Sequence, residues 1–221
     1  MTRVLVVEDQ RALAGALEIA IGAQPDMDCV GAVPTVGDAL ALTEARHPDV
    51  VLMDVHLPDL DGIEGTRRIK ASRPRARVLI LTADVDPGLF TAAAAAGAAG
   101  FLAKDAAFPD ILRAIRAAAD EKIIMVEGRT LKALLAHLAP AGPHQAVRGN
   151  WAMLTDRELE VLGLMGEGLD PRSIAGRLVV SPHTARGHVK NLMTKLGAHS
   201  QLEAVVVAIR TGLMPGPHSP R

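Results

Sequence analysis

Four short apolar runs in this chain each stop at a polar residue of a different kind. Val4-Leu5-Val6-Val7 ends on Glu8-Asp9, and Val50-Val51-Leu52-Met53 ends on Asp54. Val78-Leu79-Ile80-Leu81 ends on Thr82, and Gly100-Phe101-Leu102-Ala103 ends on Lys104. Helical patterns lie between the runs. In an open parallel sheet the ligand site lies just outside the carboxyl ends of the strands. The pattern therefore predicts that three acids, a hydroxyl and an ammonium converge in one pocket. Such a set suits a divalent metal and a phosphoryl group.

Strands are expected at Arg3–Val7, Cys29–Val33, Val50–Met53, Arg77–Leu81 and Ala99–Ala103. Helices are expected at about Arg11–Gly22, Val36–Arg46, Gly62–Ser72, Pro87–Ala96 and Pro109–Ala118. Alternation of this kind gives an α/β fold, a doubly wound parallel sheet with right-handed crossovers and helices on both faces. The third and fourth runs lack polar alternation, as strands buried on both sides do.

After residue 120 the pattern changes. An apolar patch, Ile123–Val126, and one helix, Arg129–Leu138, precede a stretch rich in Pro, Gly and Ala that fits a flexible tether. From Trp151 onward the chain reads as purely helical. Thr155 and Glu158 have capping-box spacing ahead of a helix to Glu167. A short helix at Ser173–Leu178 follows. Ser181-Pro182 starts another, with Ser as N-cap and Pro in the first turn, running to about Leu196. A last helix is expected at Gln201–Thr211, and Pro215–Arg221 reads as a disordered tail. The expected division is 3–120, a linker with one helix over 121–149, a small all-α domain over 150–214, and the tail 215–221.

At 221 residues the chain can hold two modest domains, each with its own core. Aromatic residues are only 2% of it, so those cores must be built from Ala, Val, Leu and Ile. No apolar stretch reaches the roughly 18–20 residues of a membrane span. Met1-Thr2-Arg3 runs straight into a strand pattern without a signal-peptide layout, so a cytoplasmic protein without membrane contact is expected. Cys29 is the only cysteine, which fits a reducing compartment and a small buried residue on the second strand. The net charge of −1 conceals a basic block over 171–196: Arg172, Arg177, Arg186, Lys190 and Lys195, with no acid among them. That block is either a polyanion contact or a solvated helix face, and charge alone does not separate the two.

Glu8, Asp9 and Asp54 are hard oxygen ligands of the type that holds Mg²⁺. Two carboxylates would suffice for a metal, leaving one to attack phosphorus and carry the group as an acyl phosphate. The phosphoryl oxygens would then need the Lys104 ammonium and the Thr82 hydroxyl. With Glu8-Asp9, Met-Asp54-Val-His-Leu-Pro58-Asp-Leu-Asp-Gly62, Thr82-Ala83 and Phe-Leu-Ala-Lys104, residues 3–120 resemble a response-regulator receiver domain. The resemblance implies a flavodoxin/CheY-like sheet of order 2-1-3-4-5. It also implies phosphotransfer to Asp54 from a sensor histidine kinase, and Mg²⁺ at Glu8, Asp9, Asp54 and the His56 backbone carbonyl. It gives Thr82 and Phe101 switching roles. For Phe101 ordinary sheet-edge packing is the competing reading, and for the His56 side chain a simple loop role.

The later helices form a helix-turn-helix layout, in which the second helix of the motif enters a major groove. Leu154-Thr-Asp-Arg-Glu-Leu-Glu-Val-Leu162, Ser181-Pro-His-Thr184, His188-Val189 and Lys195-Leu-Gly197 resemble the LuxR-type DNA-binding domain. A receiver followed by this module resembles the NarL/FixJ class of transcription regulators. On that resemblance 182–196 is the recognition helix, and Arg186 and Lys190 fall where base edges are read. Arg is the better match to guanine, because its fork spans O6 and N7. Thr184 and Asn191 would contact phosphates, and Ser181 would direct helix-start amides toward one. Val189, Leu192 and Leu196 form an apolar stripe and are expected in the core. Ala185 and Gly187 depart from the usual pattern, and Gly187 withholds a side chain from the groove.

The function expected is a phosphorylation-controlled transcription factor, not an enzyme beyond its own phosphotransfer and dephosphorylation. It would bind double-stranded promoter DNA as a homodimer when active. A constitutive or ligand-modulated regulator whose receiver mainly dimerises is the alternative. A metal-dependent phosphatase is less favoured, because no second Asp stands two residues beyond Asp54 and no substrate-capping insert is present.

Overall fold

In the computed structural model, residues 1–83, 86–120 and 154–214 are described. The expected patch at 123–126, the helix at 129–138, the tether and the tail lie outside them.

The first 120 residues form β1 (Thr2–Val7), α1 (Arg11–Gly22), β2 (Met27–Val33), α2 (Val36–Arg46), β3 (Val50–Asp54), α3 (Gly62–Ser72), β4 (Arg77–Thr82), α4 (Pro87–Ala95), β5 (Gly100–Ala103) and α5 (Phe108–Ala119). All pairings are parallel, in the order β2-β1-β3-β4-β5 expected of the fold. Successive strand residues point to opposite faces, and here both faces are dry. Val4, Val6, Leu52, Leu79 and Leu81 pack with Leu17 and Ile21 of α1 and Ile111 and Ile115 of α5. Leu5, Val7, Val51, Met53, Val78, Ile80 and Phe101 face Ile63 and Ile69 of α3 and Phe90 and Ala93 of α4. β3 and β4 extend one residue beyond the expected ends, so Asp54 and Thr82 are the last residues of their strands.

The second unit comprises α6 (Asp156–Gly166), α7 (Pro171–Leu178), α8 (Pro182–Leu196) and α9 (Gln201–Arg210). The Thr155–Glu158 capping box forms in both directions. α7 starts at Pro171 rather than Ser173, because Asp170 caps it by accepting from the Ser173 amide at 2.6 Å. The Asp-Pro pair is an N-cap followed by Pro at the first helical position, a start signal the periodicity reading passed over. Ala185, Val189, Leu192 and Leu196 of α8 are buried, as the apolar stripe required.

The two units touch. α9 lies against α4, and the buried Ser200 hydroxyl, at the N-cap of α9, donates to the Ala94 carbonyl at 3.4 Å. A cleft of about 140 Å³ between the units is lined by Ala119 and Asp120 at the end of α5 and by Pro171, Arg172 and Arg186.

Candidate functional site: an acidic pocket and a basic helix

Asp54 stands at the carboxyl end of the central strand and is only 1% exposed. Glu8, one residue past β1, is equally sequestered, while Asp9 beside it faces solvent. Parallel registry of β1 with β3 sets Val7 beside Met53, which brings the following acids together. Carboxylate oxygens of Glu8, Asp9 and Asp54 all lie within 4.8 Å of one another.

Lys104, one residue past β5, reaches across the top of the sheet. Its Nζ donates to Asp54 Oδ2 at 2.7 Å and to Glu8 Oε1 at 3.0 Å. Glu8 Oε2 is also 2.9 Å from that nitrogen, an ion-pair distance, but this buried oxygen accepts no hydrogen bond among the described residues. Burial chiefly raises the Glu8 pKa, and the neighbouring Asp54 charge adds to the rise. For Lys104 burial acts downward, yet its bonds to Asp54 and Glu8 outweigh that and hold the ammonium above its ordinary value. Three carboxylates thus face one ammonium, leaving a net negative pocket with an unsatisfied oxygen inside it. A hard divalent cation fits that donor set.

Thr82 is buried at the end of β4, and its carbonyl accepts from the Lys104 amide at 2.9 Å. Ala83 after it is exposed and contributes a methyl beside Thr82. The His56 amide donates to Asp54 Oδ1 at 3.2 Å, which orients the carboxylate, while its side chain is exposed. Phe101 is inside the core at 1% exposure, with its ring centroid 4.9 Å from that of Phe90 on α4. It packs from the edge strand β5 onto α4, an arrangement compatible with both sheet-edge packing and a switching role. It joins the strand carrying Lys104 to the helix that touches α9.

On the second unit, α8 presents Thr184, Arg186, Gly187, Lys190 and Asn191 to solvent, all on the side opposite its buried stripe. His183 is exposed at the same end. A Cβ on Gly187 would meet nothing within 4 Å, so no packing among the described residues requires the glycine. The Ser181 hydroxyl accepts from the Thr184 amide at 3.0 Å and lies 2.8 Å from the Thr184 hydroxyl. Its side chain therefore fixes the helix start. Lys195, counted in the basic block, instead pairs with the buried Glu158 of α6 at 2.7 Å. Burial raises the pKa of Glu158, but the Lys195 and Thr155 bonds outweigh it and hold the carboxyl below its usual range. This pair ties α8 to α6 and neutralises one positive charge of the basic block.

Residues 4–116 match the family described as the response regulator receiver domain, and residues 152–208 match the bacterial regulatory proteins of the luxR family. The DNA-binding transcriptional activator DevR/DosR of Mycobacterium tuberculosis is 34% identical over 208 residues, covering 94% of each chain. The transcriptional regulatory protein DesR of Bacillus subtilis is 31% identical, covering 93% of this chain and 95% of its own. Among solved structures, a LuxR-family two-component response regulator from Aurantimonas sp. SI85-9A1 superimposes with a TM-score of 0.58 at 28% identity. That alignment covers 62% of this chain and 98% of the Aurantimonas chain. No helix among the described residues is long and apolar enough to cross a membrane. With a receiver-type sheet, its acidic pocket and a LuxR-type helical module in one chain, this protein belongs to the DNA-binding transcriptional response regulators of two-component systems.

Proposed function

We propose that Asp54 is the phosphoacceptor of a receiver spanning residues 3–120, and that its phosphorylation controls DNA binding by the module at 150–214. The observation that carries this reading is the buried Asp54 carboxylate at a strand end, 2.7 Å from the Lys104 ammonium. An Asp54 oxygen attacks phosphorus, the P–N bond of a sensor kinase's phosphohistidine breaks, and the imidazole recovers the electron pair. Lys104 and the Thr82 hydroxyl stabilise the charge on the transferred oxygens. Glu8, Asp9, Asp54 and the His56 carbonyl would hold Mg²⁺, which supplies positive charge to the phosphoryl group while bound. The chemistry acts on the protein itself, so the chain is a cytoplasmic switch and not an enzyme with turnover on a separate substrate.

DNA contact falls to the exposed side of α8. Arg186 and Lys190 reach base edges, Thr184 and Asn191 meet phosphates, Ser181 sets the helix start, and Gly187 leaves the backbone bare. The unphosphorylated receiver restrains this module, a reading supported by the α4–α9 contact and by Asp120 lining the same cleft as Arg186. Doubly negative phosphoaspartate draws the Thr82 hydroxyl toward the phosphoryl oxygens beside Lys104 and repacks Phe101, which already lies on Phe90, so that α4 loosens from α9. Two released chains then pair, so that their recognition helices meet half-sites about one DNA turn (roughly 10 bp) apart on promoter DNA.

The test compares promoter binding by wild type and Asp54→Ala, each treated with acetyl phosphate and Mg²⁺. Tighter binding and a shift to dimer are expected for wild type only. Equal affinity and stoichiometry for the two proteins would refute the coupling and favour a constitutive regulator.

A further inference from the structure

The loop that follows Asp54 is fastened at more points than its length requires. The Gly62 amide donates to the Val55 carbonyl at 2.8 Å, closing the loop on itself. Asp61 caps α3 by accepting from the Ile63 amide at 2.7 Å. Asp59, on the outer turn, reaches away from α3. Its Oδ1 accepts from the Val36 amide at 3.0 Å and its Oδ2 from the Gly37 amide at 2.9 Å.

Those two amides open α2, whose own N-cap, Thr35, accepts from the Asp38 amide and donates to the Asp38 carboxylate. The first amides of a helix have no partner within the helix, so here a residue 23 positions downstream supplies the missing acceptors. Burial would raise the Asp59 pKa, but these backbone donors outweigh it and hold the carboxylate below its ordinary range.

The far end of this tether returns to the acidic pocket. Three residues before Val36, the Val33 carbonyl accepts from the Glu8 amide at 2.9 Å. A closed circuit results: Glu8 to Val33, along the chain to Val36, across to Asp59, back along the loop to His56, and from the His56 amide to Asp54. One side of the pocket stands on β1 and the other on β3, and Asp59 bridges their loops outside the sheet.

We infer that Asp59 is a positioning residue that fixes the spacing between the Glu8–Asp9 and Asp54–His56 sides of the pocket and so sets its affinity for magnesium. The inference rests on the proposed magnesium site and adds a residue that touches neither metal nor phosphoryl group. Groups that orient metal ligands from outside typically contribute about 10–100-fold in affinity. The exposed position of Asp59 places it at the lower end of that range.

The experiment is calorimetric titration of the full chain with MgCl₂, followed by phosphorylation rates with acetyl phosphate across a magnesium series. For Asp59→Ala, magnesium affinity is expected to fall about 10-fold. Its phosphorylation rate should be low at limiting magnesium and return to the wild-type value at saturation. Gly37→Pro replaces the donor hydrogen with a ring carbon that displaces the Asp59 carboxylate from the opposite side, and should shift affinity in the same direction. If Asp59→Ala is less stable yet binds magnesium within twofold of wild type, Asp59 is a helix cap alone and the inference is overturned. A wild-type chain that binds no magnesium instead overturns the functional reading, and the tether with it.

Discussion

Gly62 offers the sharpest test of how Asp54 is held. It opens α3 directly above the end of β3, and a Cβ built on it would lie 1.8 Å from the Asp54 carbonyl oxygen and 3.1 Å from the Val55 Cα. Ordinary contact begins near 3.4 Å, so Gly62→Ala obliges the helix start or the strand end to move by about 1.6 Å. Both neighbours are backbone, and no side chain can swing aside. Overpacking of this kind costs about 1–3 kcal/mol of stability, sometimes more. A misplacement of about 1 Å at a reacting centre can cost roughly 100-fold in rate. Gly62→Ala is therefore expected to fold, to unfold at lower urea concentration, and to accept phosphate from acetyl phosphate about 100-fold more slowly. Intact mass against time measures the rate. Gly15→Ala in α1 is the control, since a Cβ there meets nothing within 4 Å; it should gain about 0.5–1 kcal/mol and phosphorylate normally. A Gly62→Ala protein phosphorylated within threefold of the wild-type rate would show that the Asp54 backbone is not held by this contact.

Three further outcomes are expected. Glu158 has a folded pKa below its ordinary 4.5, so its contribution is complete above that pH and is lost as pH falls through the lower folded value; urea unfolding at pH 6 and pH 3.5 should show a larger loss for wild type than for Glu158→Gln. Lys70, whose Nζ donates to the Pro74 and Ala76 carbonyls, has its pKa pulled to about 8 by burial and by the Arg77 charge. The unfolded chain then holds the extra proton between about 8 and 10.5, and stability from this group rises with pH across that window. Cys29, with a raised pKa, acts in the opposite sense, so the measurement is the difference in slope between wild type and Lys70→Met, and equal slopes refute the assignment. Arg186→Ala should weaken binding to the target site by about 1–3 kcal/mol and relax preference at one base pair, whereas Lys195→Met should leave base preference intact and lower stability; anisotropy titrations on a base-substituted set of duplexes distinguish them.

Much of the site was legible before any coordinates. Parallel strands that end on Glu8-Asp9, Asp54, Thr82 and Lys104 have to deliver those groups to one edge, because the topology places every carboxyl end on the same side. The buried stripe of α8 followed from helical periodicity, which left Arg186 and Lys190 on the other side. Local chemistry also marked the caps at Thr155 and Ser181, since capping involves residues three apart in sequence. The start of α7 was misplaced by two residues, because an apolar-period reading gives no weight to the Asp170-Pro171 pair.

Other features required the folded chain. Lys195 looked like part of a basic surface, and only the crossing of α6 and α8 sets its ammonium on Glu158, 37 residues away. The surroundings of Phe101 could not be read from sequence, because only the approach of α4 puts Phe90 against its ring. Asp59 reads in sequence as one more acid in a polar loop, and its partners, Val36 and Gly37, are revealed only where α2 and the β3–α3 loop meet. Sequence by itself determined which groups stand at the pocket edge and which helix face is basic, since strand direction and helical period are local properties. Tertiary structure alone decided which charges neutralise each other, how the pocket walls are spaced and where the two units touch, because these depend on how distant segments pack.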